Sequence, residues 1–446
     1  MTEFWIKAAQ LLLSLSILVT LHELGHFIPA RLFKTRVKKF YLFFDFLFPL
    51  PNVMNFSLFK IKRGETEYGI GWFPMGGYVQ IDGMVDESMD TEALAKPPQP
   101  WEFRSKPAWQ RLIIMVGGVV VNLILGFLIY SMVLFVWGEE RLPIQNNSFG
   151  SIPDSVMVAH GFQDGDRILS IPDGSAQYFN EIGGDILINK ARQIEFERGG
   201  ETLTITLPDT IQAVLMNEEV RAPFFPIFPL GVAGVEKGME AEKIGLEPGD
   251  RLYAVNGVVI NDYRKGVEII RENKGKSVEL EIHRKDEVIN KTAQVDTAGH
   301  IGFRILEYAF LDVDTFRYGF FEAFPAAFIK TGDNLGKYIS SLSLVFTKEG
   351  ASKIGGFGAI GGMFSPTWDW KSFWSMTAFL SLILAFMNIL PIPALDGGHV
   401  LFLLWEIVTG KSPGDKFLEY AQTVGMILLL GLLVFANGND ILRLFQ

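Results

Sequence analysis

The sequence predicts a multi-pass α-helical membrane protein of about four transmembrane helices, with two small β-rich domains in tandem outside the membrane. Two observations predict it. Apolar residues gather into four runs of membrane-spanning character, and the stretch between the second and third runs alternates apolar and polar residues as strands do. The averages over all 446 residues, 49% hydrophobic and 20% charged with a net charge of −10, mix these two textures. So apolar a chain collapses, which excludes disorder. The absence of cysteine excludes a disulfide framework, a cysteine nucleophile and a thiolate zinc site. The acidic balance argues against nucleic acid as a partner. Residues 146–310 hold 17 Lys and Arg against 26 Asp and Glu, so nearly all of that acidity belongs to the β-rich part.

The first run, Phe4 to Leu21, is broken only by Lys7 and makes residues 1–30 the first transmembrane helix. A signal peptide competes for this segment. Its weakly positive start, and the lack of a small-residue cleavage site before His22, speak against that. Arg31, Lys34, Arg36, Lys38 and Lys39 follow with no acid among them, and Arg104, Lys106 and Arg111 precede the second run. Basic flanks stay inside, so residues 31–106 are expected in the cytoplasm. Within them, Tyr68 to Trp72 and Gly77 to Ile81 suit a membrane-associated β-hairpin whose edge could pair with an extended peptide. Residues 107–140 carry the second helix, Leu112 to Trp137 being free of charge. Residues 311–372 read as an amphipathic linker, and Trp368, Trp370 and Trp374 at its end and just beyond mark a membrane interface. The third segment, 373–409, is interrupted by Asp396 and His399, and the fourth helix occupies 417–446. Both chain ends fall outside.

The outer part has strand patterning, as in Leu203-Thr204-Ile205-Thr206-Leu207 and Val278-Glu279-Leu280-Glu281-Ile282. It also repeats. Gly161-Phe162-Gln163-Asp164-Gly165-Asp166-Arg167-Ile168 recurs as Gly245-Leu246-Glu247-Pro248-Gly249-Asp250-Arg251-Leu252, each followed by a turn, Asp173-Gly174 or Asn256-Gly257. This pattern resembles the PDZ domain. Leu230-Gly231-Val232 sits where that family has its carboxylate-binding loop, and a weaker counterpart lies near Phe149-Gly150. The expected domains are residues 146–222 and 223–310.

His22-Glu23-Leu24-Gly25-His26 is the sharpest chemical feature. Helical positions i and i+4 share a face, so both imidazoles can reach one metal ion, and Glu23 beside them can take a proton from a water activated there. Two His and a Glu at a membrane helix end are costly without a function. A hydrolytic zinc site needs a third protein ligand and one open position. In Asn388-Ile389-Leu390-Pro391-Ile392-Pro393-Ala394-Leu395-Asp396-Gly397-Gly398-His399 the two prolines break the third segment, and a broken helix at membrane depth lines a cavity. Asp396 is the natural third ligand. His399 competes and is assigned a supporting or structural place. Asn388 is either an interhelical hydrogen bond or a donor to the scissile carbonyl.

These elements together resemble the site-2 protease family. The resemblance runs nearly end to end and rests on Thr20 to Phe27 around His22-Glu23-Leu24-Gly25-His26, on Gly76-Gly77-Tyr78-Val79, on Pro391 to His399, and on the PDZ pair. It implies zinc bound by His22, His26 and Asp396, Glu23 as catalytic base, and hydrolysis of peptide bonds inside membrane-spanning helices. The implied substrates are single-span membrane proteins such as anti-sigma factors or signal-peptide remnants, reached through the lipid bilayer. Likeness to bacterial members implies the inner membrane, PDZ domains in the periplasm gating access, and an active site near the cytoplasmic side. The family's G-P-x-x-N-F reads Gly118-Val119-Val120-Val121-Asn122-Leu123, and its G-P-I reads Gly356-Phe357-Gly358. Neither departure touches an expected ligand, so both are expected to bear on packing and substrate gating. A non-catalytic scaffold displaying PDZ domains and a zinc transporter are the competing functions. The intact His22, Glu23, His26 and Asp396 set speaks against both.

Overall fold

A computed structural model describes residues 2–47, 54–74, 76–84, 97–217, 220, 222–236, 238–345 and 355–443. Parts of the expected inner loop and of the 311–372 linker lie outside the described residues. The chain divides into two compact units, residues 1–138 with 317–446, and residues 139–316.

The first unit is built on helices. Its members are α1 (Thr2–Leu32), α2 (Ala108–Trp137), α3 (Ala323–Val345), α4 (Phe357–Gly362), α5 (Trp370–Ile389), α6 (Asp396–Thr409) and α7 (Asp415–Arg443). Four of them, α1, α2, α5 and α7, are long and apolar enough to cross a membrane. Helix α2 is the hub, and glycines let its neighbours close in. A Cβ on Gly25 of α1 would strike the backbone of Gly117 and Gly118 on α2, and one on Gly126 would strike Leu382 of α5. Apolar helices in lipid gain little from burying grease against grease, so such close backbone packing is what holds them. Ala323 and Ala327 of α3 pack on the same hub beside Tyr130 and Val133. An ion pair between Arg111 and Glu406 fastens the start of α2 to the end of α6. The break between α5 and α6 falls at Leu390–Leu395, where the two prolines place it.

Between α1 and α2 the chain folds into a four-stranded sheet of β1 (Val37–Leu42), β2 (Ser57–Arg63), β3 (Thr66–Gly71) and β4 (Tyr78–Ile81), in the order β2-β3-β1-β4. Strands β1 and β3 run parallel and the other pairs antiparallel. The two stretches expected to offer a peptide edge therefore part ways. Tyr68 to Gly71 lies between two partners, and its edges are spent. Strand β4 ends the sheet, with one edge on β1 and the other unpaired by any strand among the described residues.

The second unit holds two copies of one plan, each with its own core. The first copy runs β6 (Ser151–Pro153), β7 (Arg167–Ser170), β8 (Gln193–Arg198), β9 (Glu201–Thr206) and β10 (Phe224–Pro226). The second runs β11 (Gly231–Val235), β12 (Arg251–Val255) with the short β13 (Val258–Val259), β14 (Ser277–Arg284), β15 (Glu287–Gln294) and β16 (Phe303–Leu306). Strand β10 pairs antiparallel with β6 as β16 does with β11. Phe224 is buried in the first core with Phe162 and Phe196, so that copy reaches past residue 222, where the repeat had suggested its end. Strand β5 (Glu139–Arg141) pairs with β17 (Asp314–Phe316), closing the unit where the chain enters and leaves.

The repeated Gly-Asp-Arg turn has the same internal chemistry twice. Arg198 at the end of β8 donates to both carboxylate oxygens of Asp166 and to the Gly161 carbonyl. Arg284 at the end of β14 does the same to Asp250 and Gly245. The N–H of Gln163 or Glu247 completes each carboxylate. Burial by itself would raise the Asp250 carboxyl, but the Arg284 guanidinium and the Glu247 N–H outweigh it and hold the carboxyl below its ordinary range. A carboxyl depressed in the fold stabilises it above the unfolded value of ~3.9, and that contribution is lost as pH falls through the lower folded value. Asp250→Asn is therefore expected to cost about 3 kcal/mol at pH 7 and progressively less below pH ~4. Thermal unfolding of the full chain in detergent at both pH values, followed by proteolysis within residues 228–306, checks this. A cost independent of pH would defeat the explanation.

Candidate active site

His22 and His26 lie one turn apart on α1, and their Nε2 atoms are 3.2 Å from each other. Asp396 is the first residue of α6, and its Oδ2 stands 3.3 Å from His22 Nε2 and 3.4 Å from His26 Nε2. Among the described residues this is the one group of His, Cys, Asp and Glu side chains whose ligand atoms converge for a metal. The donor set fits zinc, which takes imidazole nitrogen and carboxylate oxygen at ~2.0–2.2 Å, and tetrahedral bonds of that length set neighbouring ligand atoms ~3.3 Å apart. Asp396 Oδ2 is buried and accepts no hydrogen bond among the described residues. That is an orphaned acceptor of the kind a cation satisfies.

The imidazoles are held from behind. His26 Nδ1 is 2.8 Å from the Ile114 carbonyl, so it carries the proton and leaves the Nε2 lone pair facing the other ligands. His22 Nδ1 is 3.2 Å from the side-chain amide of Asn122. The amide atom at that distance is Nδ2, which can only donate; a metal-binding Nε2 needs the proton on Nδ1, and so calls for the amide turned to present Oδ1, which has no hydrogen-bond partner among the described residues. Gly118, one turn before Asn122 on α2, lies flat against both rings, and any Cβ there would collide with His22 and His26. The motif positions read from the sequence as a packing matter thus abut His22 and His26. Their spacing of four was visible; the face of α1 that they meet was not.

Asp396 arrives through a tight turn. A Cβ on Gly397 would strike the carbonyls of Ile389 and Leu390, and one on Gly398 that of Ile392, so the double glycine lets α6 begin against the end of α5. Asn388 brings Nδ2 to 3.3 Å from His22 Nε2, beside the three ligand atoms. Glu23 lies outside that trio, on the wall of the same cavity, and its carboxylate accepts the backbone N–H of Val79 in β4. His399 lines the cavity without joining the trio. The cavity has a volume of about 140 Å³, and Gly77 together with Tyr78, Val79 and Ile81 of β4 forms one wall. No further strand among the described residues covers the outer side of β4 beside these groups, a position that suits extended peptide.

Residues 10–432 match Peptidase family M50. The chain belongs to that family. Its relatives are similar over nearly their whole lengths. A Neisseria meningitidis protein named "Putative zinc metalloprotease" is 30% identical over 96% of this chain and 97% of its own. "Protease RseP" of Yersinia pestis is 28% identical, and "Regulator of sigma-E protease RseP" of Escherichia coli 26%, each over 100% of both chains. As a family M50 peptidase the chain is a membrane zinc metalloprotease of the site-2 type, which leaves neither a scaffold nor a transporter as its function.

Proposed function

We propose that this family M50 peptidase is an intramembrane endopeptidase that binds zinc through His22, His26 and Asp396 and cuts the transmembrane segments of single-span membrane proteins. Anti-sigma factors and signal-peptide remnants are the substrate classes that its RseP-like relatives suggest. The observation that carries the reading is the convergence of three ligand atoms from α1 and α6 on a cavity walled by the end of a β-sheet. When bound, zinc supplies Lewis acidity to the attacking water and the scissile carbonyl. Glu23 takes the proton of that water and returns it to the leaving amine, with Val79 N–H keeping the carboxylate aimed into the cavity. Asn388 donates to the scissile carbonyl as negative charge develops on it. A helical substrate has its amides already paired, so it unwinds and lays the freed strand along β4.

The orientation follows from the basic residues around residues 31–106, which put β1–β4 and the catalytic end of α1 on the cytoplasmic side of the inner membrane. Residues 146–310 then face the periplasm as two tandem PDZ domains. There they exclude substrates that still carry a bulky outer domain. The purified full chain is expected to hold one zinc and to cut a tagged single-span substrate within its apolar segment. Chelation should abolish cleavage and added zinc restore it. Mass analysis of the fragments decides the matter, and cuts confined to the soluble tails would sink the proposal.

A further inference from the structure

The last helix, α7, reaches the turn that delivers Asp396, and it does so through two residues one helical turn apart. Gln422 is 6% exposed, lines the cavity, and accepts the Ala394 backbone N–H on its Oε1 at 3.1 Å. Ala394 has φ +78°, the left-handed region that side-chain-bearing residues disfavour. It lies two residues before Asp396, in the loop between α5 and α6. Gly425 brings the helix close enough for this, since a Cβ there would collide with the Pro393 carbonyl.

The physical problem at this turn is plain. The break in the membrane helix frees backbone N–H groups that have no partner within their own helix. An unsatisfied N–H at Ala394 would favour a different turn, and the disfavoured φ would favour one too. Either change displaces the start of α6, and with it the carboxylate.

We propose that Gln422 is a positioning residue for the metal site: its carboxamide locks Ala394 in the left-handed turn, so that Asp396 meets His22 and His26. The assignment rests on the reading that Asp396 is a zinc ligand. It gives the last membrane helix a place in the active site that sequence spacing does not reveal. It also separates two roles along α7. Farther on, Asn437 and Asp440 accept backbone N–H groups at the start of α4, away from the cavity.

The test uses the full chain purified in detergent, with zinc affinity read by chelator competition and cleavage measured alongside. Gln422→Leu is expected to bind zinc ten- to a hundredfold more weakly, the usual effect of removing a residue that orients a ligand. Its cleavage should recover when zinc is raised to saturation. Gln422→Glu keeps an acceptor of the same length and should stay within about threefold of wild type. Adding Ala394→Gly to Gln422→Leu should restore part of the affinity, because glycine takes φ +78° without steric cost.

Wild-type affinity in a folded Gln422→Leu protein overturns the proposal. So does a tenfold loss in folded Gln422→Glu, which carries the test alone should Gln422→Leu not fold. Asp396→Asn distinguishes the premise: if that variant keeps zinc and activity, the ligand assignment fails, whereas its loss beside an unaffected Gln422→Leu defeats only the role of Gln422.

Discussion

Glu23→Gln is expected to bind zinc as the unaltered chain does while cleaving a single-span substrate about 10²–10⁴-fold more slowly. The two halves of this result have different causes. Zinc retention follows from geometry, because the converging ligand atoms belong to His22, His26 and Asp396, and Glu23 stands on the cavity wall outside them. The glutamine keeps a carbonyl oxygen to accept the Val79 N–H, so β4 has no reason to move. Loss of rate follows from chemistry, because a carboxamide cannot take a proton from water at neutral pH. Metal content and initial rates on one preparation check both halves together. Turnover within tenfold of wild type would remove Glu23 as the base, and loss of zinc would make it a ligand.

The same comparison explains how much of the site was legible before the fold was known. His22, Glu23 and His26 are contiguous, so a local helix rule places them on adjoining faces. Asp396 was legible for a different reason: a carboxylate behind two helix-breaking prolines in an apolar run has few reasons to exist. Asn388 offered two readings from the sequence. Its amide makes an interhelical approach to His22 and stands at the cavity. Gly118 and Asn122 were visible as motif positions, but only the crossing of α1 and α2 shows that both press on the histidines. Gln422 was a polar residue near the start of an apolar helix, and nothing local ties it to a turn 28 residues earlier.

The outer unit shows the same limit. Its Gly-Asp-Arg repeat was conspicuous, yet the arginine that holds each aspartate is the one closing a later strand, Arg198 or Arg284, and not its neighbour in the motif. Strand β10 is three residues ending in proline and has no alternation to read. Only pairing with β6 reveals it. In each case the local pattern states which residues are unusual, and the contact that gives them a purpose is made by a distant part of the chain.

Gly118→Ala should be nearly as damaging as losing a ligand, although it adds one methyl group to a helix where alanine is otherwise favoured. The added Cβ would fall on His22 and His26 at once. Neither ring can yield: His26 is tied through Nδ1 to Ile114, and His22 is held between Asn122 and Asn388. Nor can the helices separate cheaply, because Gly25 and Gly117 form the adjoining backbone contact. The strain therefore falls on the proposed metal site. A shift of the imidazoles by a fraction of an ångström spoils tetrahedral ligation, and zinc affinity is expected to drop by at least the 10–100-fold seen when supporting groups are lost. Helix content should stay near wild type, because alanine suits the helix itself. The signature is thus a helical, membrane-embedded protein that loses both zinc and cleavage, in contrast to Glu23→Gln, which loses cleavage alone. Gly126→Ala serves as the control. Its Cβ meets Leu382 and the Ala378 carbonyl on α5, away from the histidines, so it should lower stability while zinc affinity stays close to that of the unaltered chain. Equal loss of zinc in both variants would mean that α2 acts through general packing, and that Gly118 has no particular bearing on the ligands.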